Sequence, residues 1–89
     1  MNHTLKPFSH IIADNNYSTF HYTDGTKKMV GYTLKKFEGQ GIRIHKSVIV
    51  NPDFIKEVSK NSVQMKDLTI HKISRRRVKG FYTRLKGER

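Results

Sequence analysis

Three consecutive arginines, Arg75, Arg76 and Arg77, could contact a negatively charged ligand. Ser74 precedes them and favours the start of a helix, because its hydroxyl can accept the free N–H groups of a first turn. Cations in that turn oppose the helix dipole and repel one another, which costs roughly a few tenths of a kcal/mol each. The chain has 7 acids against 18 basic residues, so internal neutralisation of all three is difficult. The cluster therefore favours binding to phosphates or guanine edges, and a solvated basic face near acids is the alternative.

A second basic group contains Arg43, His45 and Lys46 and alternates with apolar residues. In a strand, successive side chains point to opposite faces, so Ile44 is expected to face a core while Arg43 faces outward. Such a strand can hold its cations at a fixed height over a nucleic-acid groove. An ordinary polar strand face explains the same pattern equally well.

A third candidate contains Asn15, Asn16 and Tyr17, which follow a short apolar segment. Asparagine can bind adenine through two hydrogen bonds. Asparagine also forms turns through its own side chain, and a plain turn is the simpler interpretation of this segment.

Residue patterns typical of catalysis or cofactor binding do not occur in the sequence. The five histidines lack a metal-binding spacing such as HExxH, and the chain has no cysteine. Gly39-Gln40-Gly41 lacks the remainder of a phosphate-binding loop, and Ser74 has no evident catalytic partner. The carboxylates are too scattered to suggest an acid–base pair. We therefore predict a protein that is not an enzyme and that binds no cofactor or metal.

Size and charge restrict the partners further. The 89 residues suffice for one small domain, and the net charge of +11 favours a polyanion, either nucleic acid or an anionic membrane surface. No apolar run approaches the ~20 residues that span a bilayer, and the first residues lack the apolar stretch of a signal peptide. We predict a cytoplasmic protein. The 4 tyrosines and 5 phenylalanines provide material for a core and argue against disorder.

Short segments rich in β-branched and aromatic residues alternate with turn residues and predict a fold of linked β-hairpins. Asp24-Gly25 is a strong hairpin signal. The continuous apolar run Val48–Val50 is expected to be buried on both sides. The predicted strands are His10–Ala13, Tyr17–Tyr22, Lys28–Tyr32, Ile42–Ile44, Val48–Val50, Val63–Met65 and Leu68–Ile70, and Phe54–Val58 is either a strand or a turn that leads into one.

Two helices are predicted. Thr33 is a candidate cap for a short helix at Leu34–Glu38, which Gly39 should break. Ser74 should cap a second helix that ends near Gly87. The apolar residues of this second helix fall on one face at i, i+3, i+4 and i+7, and they are Val78, Phe81, Tyr82 and Leu85.

Three ordered motifs give the sequence a family resemblance. They are ADNNYS at 13–18, IRIHKSVIVN at 42–51 and ISRRRVK at 73–79, with Asp24-Gly25 between the first two. Over about Phe8 to Lys86 the chain closely resembles the LytTR DNA-binding domain, the output domain of many bacterial response regulators in two-component systems. The resemblance implies a mainly β fold with a short helix and a C-terminal helical turn, built as an elongated set of small antiparallel sheets. It also implies sequence-specific binding of double-stranded DNA by a bacterial transcription regulator, whose loops enter successive major grooves.

The resemblance also implies roles for individual residues. Base contacts correspond to Asn16 or its neighbour Tyr17, to Lys46 and to Arg76. The residues expected to contact phosphates or to support the base contacts are Asn15, Arg43, His45, Ser47, Ser74, Arg75, Arg77 and Lys79.

The chain departs from the family pattern at its start. The extra N-terminal hairpin of many members has almost no counterpart before His10, which would leave a strand edge open for a homodimer or for paired binding on DNA. We expect one LytTR-like domain over residues 1–89, with its core at about 8–86 and no receiver domain. A small basic RNA-binding or ribosome-associated protein is the alternative function. A membrane-surface protein is disfavoured, because the apolar face of the second helix is needed for the core.

Overall fold

Residues 7–87 are described by the computed structural model, and within them strands dominate. The strands are β1 (Phe8–Asp14), β2 (Tyr17–Tyr22), β3 (Lys27–Val30), β4 (Ile42–His45), β5 (Val48–Val50), β6 (Ile55–Val58), β7 (Ser62–Met65) and β8 (Ile70–Lys72). A 3₁₀ helix covers Leu34–Gln40, short 3₁₀ turns cover Pro52–Phe54 and Arg75–Arg77, and helix α1 covers Val78–Gly87. The described residues extend 31 × 24 × 24 Å.

The strands form two antiparallel sheets. The larger sheet has five strands in the order β3-β2-β1-β5-β4, and the smaller sheet has the order β6-β7-β8. Each pairing within the two sheets joins strands that are consecutive in the chain, apart from the β1–β5 pairing in the middle of the larger sheet. The predicted mainly β fold, with small antiparallel sheets, a short helix and a C-terminal helical turn, is confirmed.

Two cores lie on the opposite faces of the larger sheet. Val48 and Val50 face a core that also contains Val63 of the smaller sheet and Phe81 of α1. Ile49 points the other way, into a core beneath the 3₁₀ helix. The alternation of side chains along a strand explains this division, and it confirms that Val48–Val50 is buried on both sides.

The first helix differs from its prediction in type and length. It is a 3₁₀ helix that continues through Gly39 to Gln40, and the Thr33 side chain makes no capping hydrogen bond. Leu34 and Phe37 are three residues apart and are both buried. That spacing places both side chains on the same face of a helix with three residues per turn.

The start of the second helix also differs from its prediction. Ser74 makes no side-chain cap, and its hydroxyl oxygen is buried without a hydrogen-bond partner among the described residues. The Arg77 N–H, which a capping hydroxyl would bind, instead donates to the Ser74 carbonyl oxygen at 2.8 Å and forms a 3₁₀ turn. The predicted apolar face is confirmed, because Phe81 is buried and Val78, Tyr82 and Leu85 pack around the same core.

The predicted strand at Leu68–Ile70 is shifted along the chain. Leu68 has a φ of 74° and lies in the turn before β8. The Asp67 carboxylate accepts hydrogen bonds from the Thr69 N–H at 3.0 Å and from the Thr69 hydroxyl at 2.6 Å. These bonds form a tight turn, so the strand begins only at Ile70.

The expectation of an open strand edge at the start of the chain is wrong. β1 lies in the interior of the larger sheet and pairs with β2 on one side and β5 on the other. The outer strands of this sheet are β3 and β4. β3 carries the exposed Lys27 and Lys28, and lysines on an outer strand disfavour pairing with another chain.

Candidate nucleic-acid interface

The turn between β1 and β2 presents Asn15 and Asn16. Asp14 pairs with Tyr17, so these two asparagines alone close the hairpin. Asn15 has a φ of 58°, a left-handed conformation that asparagine tolerates better than most residues. Asn16 is exposed, and Tyr17 keeps 50% of its surface exposed. The side chains of both predicted base-contacting residues are therefore accessible to a ligand.

The turn between β4 and β5 presents Lys46. Its flanking residues bind each other, since the Ser47 N–H donates to His45 Nδ1 at 3.2 Å and the Ser47 hydroxyl lies 3.0 Å from the same nitrogen. Lys46 between them is exposed, while His45 and Ser47 are half-buried. His45 and Ser47 thus shape the turn from which Lys46 projects.

Arg43 is half-buried and is held against the protein by three hydrogen bonds. Its guanidinium binds the Glu38 carboxylate, which lies in the 3₁₀ helix. It also donates to the carbonyl oxygens of Lys46, at 2.5 Å, and of His45, at 3.4 Å. The side chain therefore braces the backbone of the Lys46 turn. Of the two roles expected for Arg43, these contacts correspond to support.

The two turns lie at the same end of the larger sheet. β5 runs antiparallel to β1, and the Ala13 N–H donates to the Ser47 carbonyl oxygen at 2.8 Å. The β1–β2 hairpin and the β4–β5 hairpin are neighbours in the strand order, so their turns are about 10 Å apart, two strand spacings. Lys46 and Asn16 consequently project from one end of one sheet.

The arginine turn, which is the 3₁₀ turn at Arg75–Arg77, lies next to the Lys46 turn. The Ser74 N–H donates to the Ile44 carbonyl oxygen at 2.8 Å, which fixes the turn beside β4. Arg76 and Arg77 line a cavity of about 180 Å³ together with His45 and Lys46. Lys46 and Arg76 are far apart in the sequence, with the whole smaller sheet between them. The fold brings them to one surface.

The arginines of this turn carry little internal compensation. Arg75 and Arg76 are exposed and Arg77 is half-buried. None of the three forms an ion pair with an acid in residues 7–87. Lys79 follows on α1 and is exposed as well. This surface attracts anions, because none of these four cations forms an ion pair with a described carboxylate.

The family model described as the LytTr DNA-binding domain matches residues 6–86, nearly the whole chain. The chain belongs to the LytTR family. LytTR domains bind DNA as parts of regulators, so this chain is a DNA-binding domain of that kind. None of the curated proteins compared with the chain matches it. Within residues 7–87, no helix combines the length and the apolar character needed to cross a membrane.

The LytTR domain has a further cation near the arginine turn that the sequence reasoning missed. Arg84 lines a cavity of about 320 Å³ with Arg43, Arg76 and Arg77. Glu38 is the acid in its lining, and it already binds Arg43. Arg84 lies seven residues after Arg77, two helical turns, and this spacing was the signal available in the sequence.

A histidine cluster of the LytTR domain was also missed. The His10 ring stacks on His21 with centroids 4.5 Å apart and meets His71 at 4.3 Å. His10 and His21 belong to the larger sheet and His71 to the smaller one, so the cluster joins the two sheets. Asp67 completes it, with Oδ2 at 3.9 Å from His10 Nδ1. In the part of the chain described, no three metal-ligating side chains are arranged to hold an ion.

Burial and charge suppress protonation of this cluster. Burial, and then the neighbouring His71 and His21, lower the pKa of His10 to about 4 despite the opposing effect of Asp67. Burial and then Lys27 lower the pKa of His21. Burial also lowers the pKa of His71, against the effect of Asp67. The three imidazoles are therefore mainly neutral at pH 7, and they link the sheets by ring packing rather than by ion pairs.

Proposed function

We propose that this domain binds double-stranded DNA sequence-specifically as part of a bacterial transcription regulator. In this proposal, loops of this surface enter successive major grooves and contact the backbone between them. The observation that carries the proposal is the convergence of Lys46 and Arg76 on one cavity, beside arginines that have no described acidic partner.

Base readout is assigned to the exposed side chains of Asn16, Tyr17, Lys46 and Arg76. Arginine and lysine bind the O6 and N7 atoms of guanine, and asparagine binds N6 and N7 of adenine. Arg75, Arg77 and Lys79 contact phosphates, which supply affinity without sequence preference. Asn15, Arg43, His45, Ser47 and Ser74 shape or anchor the turns that carry these groups.

The dimensions of the domain agree with this arrangement. Successive major grooves on one side of a duplex are about 34 Å apart. The described residues extend 31 Å in their longest dimension, so the whole domain is comparable in length to that spacing. Turns of a rigid sheet, and not a recognition helix, would then enter the grooves. Paired binding of two domains on DNA stays a prediction.

The RNA-binding alternative has less support from the fold. Sheet-based RNA binding uses exposed aromatic residues on an open sheet face. One face of the larger sheet here is covered by α1 and the smaller sheet, and the 3₁₀ helix covers part of the other. The accessible groups of the interface lie at the sheet end, which suits insertion into a duplex groove.

The test is selection from a random pool of duplex DNA at physiological salt. The wild-type protein, Arg76→Ala and the control Lys56→Ala are run in parallel; Lys56 is an exposed cation of the smaller sheet. Enrichment of a defined motif by wild type and Lys56→Ala, and its loss in Arg76→Ala, is expected. Retention of DNA without an enriched motif would overturn specific recognition, and preference for single-stranded RNA would favour the alternative.

A further inference from the structure

An apolar groove opens on the larger sheet, outside the surface formed by the Lys46 and arginine turns. It has a volume of about 420 Å³ and lies over the core beneath the 3₁₀ helix. Its aromatic wall includes Phe8 of β1, Phe20 of β2 and Phe37 of the 3₁₀ helix. None of Lys46, Arg75, Arg76 or Arg77 lines it. The groove is therefore a separate feature from the candidate DNA interface.

The groove exists because the 3₁₀ helix covers only part of this sheet face. Seven residues at about 2 Å per residue give a cover roughly 14 Å long. Leu34 and Phe37 bury themselves beneath it, but Phe20 and Val30 remain half-buried, and Tyr32 beside them is 54% exposed. Apolar surface that would otherwise complete the core is thus left accessible.

The aromatic wall is ordered by ring contacts. Phe20 meets Phe37 edge to face, with centroids 4.9 Å apart and planes at 85°, and it meets Phe8 at 5.5 Å and 77°. These are favourable arrangements for aromatic pairs. The wall is consequently formed before any ligand arrives, and its volume lies within the range of about 300–1,000 Å³ typical of small-molecule sites.

The charged side chains that line the groove are all positive. Lys28 and Lys36 line it, and no aspartate or glutamate does. Neither lysine forms an ion pair with an acid in residues 7–87. The Lys36 ammonium lies 4.5 Å from the centre of the Tyr32 ring, which positions it beside the aromatic surface. The groove thus combines an apolar wall with two uncompensated cations.

We propose that this groove binds a small amphiphile with a flat ring body and one carboxylate. The ring body packs against Phe8, Phe20 and Phe37, and the carboxylate is bound by Lys28 and Lys36. This site goes beyond DNA binding and does not depend on it.

Charge complementarity favours this occupant over two others. Residues 1–6 precede Pro7 at the groove, but they contain Lys6 and no acid. A second copy of the chain would bring one net charge of +11 against another. Both would place positive charge beside Lys28 and Lys36, whereas a carboxylate supplies the missing negative charge.

The test uses 2-naphthoate as the probe and 2-naphthamide as a neutral probe of the same shape. Both are titrated into the ¹⁵N-labelled chain of 89 residues, and amide shifts are followed by NMR. Shifts are expected at Phe20, Val30 and Phe37 and not at Lys46. 2-Naphthoate should bind about fivefold more tightly than 2-naphthamide, because exposed charge pairs contribute little more than that.

Two lysine variants distinguish the contribution of the charges to probe binding from that of the apolar wall. Lys28→Gln/Lys36→Gln should bind the two probes equally, and the matched control Lys56→Gln should retain the preference for 2-naphthoate. Lys28 and Lys36 do not belong to either core, so these changes leave the fold intact, which circular dichroism checks.

Several outcomes would overturn the proposal. Equal binding of both probes by the wild type would show that charge does not contribute to binding. Shifts confined to other surfaces would show that the probes do not bind in the groove. Shifts at Val30 and Phe37 caused by deleting residues 1–6, with no probe present, would make that segment the occupant. Shifts at the same amides that depend on protein concentration would make a second copy the occupant.

Discussion

The Glu38 carboxylate binds the Arg43 guanidinium and so connects the 3₁₀ helix to the strand that leads into the Lys46 turn. The same guanidinium donates to the carbonyl oxygens of His45 and Lys46. Glu38 therefore orients Arg43, and Arg43 fixes the backbone from which Lys46 projects. A residue outside the recognised motifs thereby controls the geometry of one inside them.

Glu38→Gln should reduce the preference of the domain for its selected DNA sequence by about three- to tenfold, because Arg43 loses its charged partner and the Lys46 turn loosens. Binding to an unrelated duplex should not weaken, since the change removes a negative charge. Binding to both duplexes is measured by fluorescence anisotropy. The control Glu57→Gln removes an acid from the smaller sheet and should keep the preference. A similar loss in both variants would contradict the positioning role.

Arg76→Ala should cost about 1–3 kcal/mol of binding to the selected sequence and relax the preference at one base pair. The arginine is exposed beside Lys46 and supports no core residue, so stability should not change. Competition against single-base variants of the site locates the affected position. Unchanged affinity and preference would remove Arg76 from the base-contacting set.

Lys79→Ala should weaken binding to all duplexes to the same extent, because a phosphate contact carries no sequence information. The slope of log K against log salt concentration should fall in magnitude by about 1. Affinities measured at several salt concentrations test this. A change in sequence preference would instead place Lys79 near a base.

Gly41→Ala should destabilise the fold by about 1–3 kcal/mol, as overpacking of a core does. A Cβ at position 41 would lie 2.5 Å from the Val50 carbonyl oxygen and 2.8 Å from Ile49 Cγ2. A Cβ at Gly39 would meet nothing within 4 Å, so Gly39→Ala is a matched control and should not destabilise. Urea unfolding of both variants measures the difference, and equal stabilities would contradict the steric argument.

Acid should destabilise the domain through His10. Its pKa is about 4 in the folded protein, against 6.5 for an ordinary histidine, because burial and then His71 and His21 disfavour its charged form. Between these values the unfolded chain holds a proton that the native state lacks. Stability is thus fully present above about pH 6.5 and falls as the pH drops toward 4, by about 1–3 kcal/mol.

Urea unfolding of the wild type and of His10→Gln at pH 7.5 and pH 5 tests this dependence. The loss of stability at pH 5 should be smaller in His10→Gln, which has no imidazole at that position. His21 and His71 have pKa values lowered in the same direction, so some dependence should remain. A wild-type stability that is constant between these pH values would contradict the prediction.

The parts of the fold that follow from local chemistry were predictable. The Asp24-Gly25 hairpin, the burial of Val48–Val50 and the apolar face of α1 depend on neighbouring residues and on side-chain periodicity. The errors at Thr33, Ser74 and Leu68 arose where more than one local hydrogen bond was available. At Leu68, for example, the side chain of Asp67 formed a turn that outweighed the β propensity of the segment.

Relationships between distant segments could not be predicted from spacing. The His10, His21 and His71 rings meet because two sheets pack together, and Glu38 reaches Arg43 because the 3₁₀ helix returns to β4. Of the interface, the motifs predicted the candidate residues, and the fold shows Lys46 and Arg76 at one cavity. The contacts of these residues with DNA stay predictions.

The side chains of β5 alternate between two cores, and this limits which sequence changes such a domain can accept during evolution. Inserting or deleting one residue among Val48–Val50 would exchange the faces, sending Ile49 toward α1 and its neighbours toward the 3₁₀ helix. The turn that carries Asn16 lies outside both cores, so its length and residues can vary without this exchange. Sequence preference can therefore diverge among relatives at the tips of the hairpins while the scaffold beneath them keeps its register.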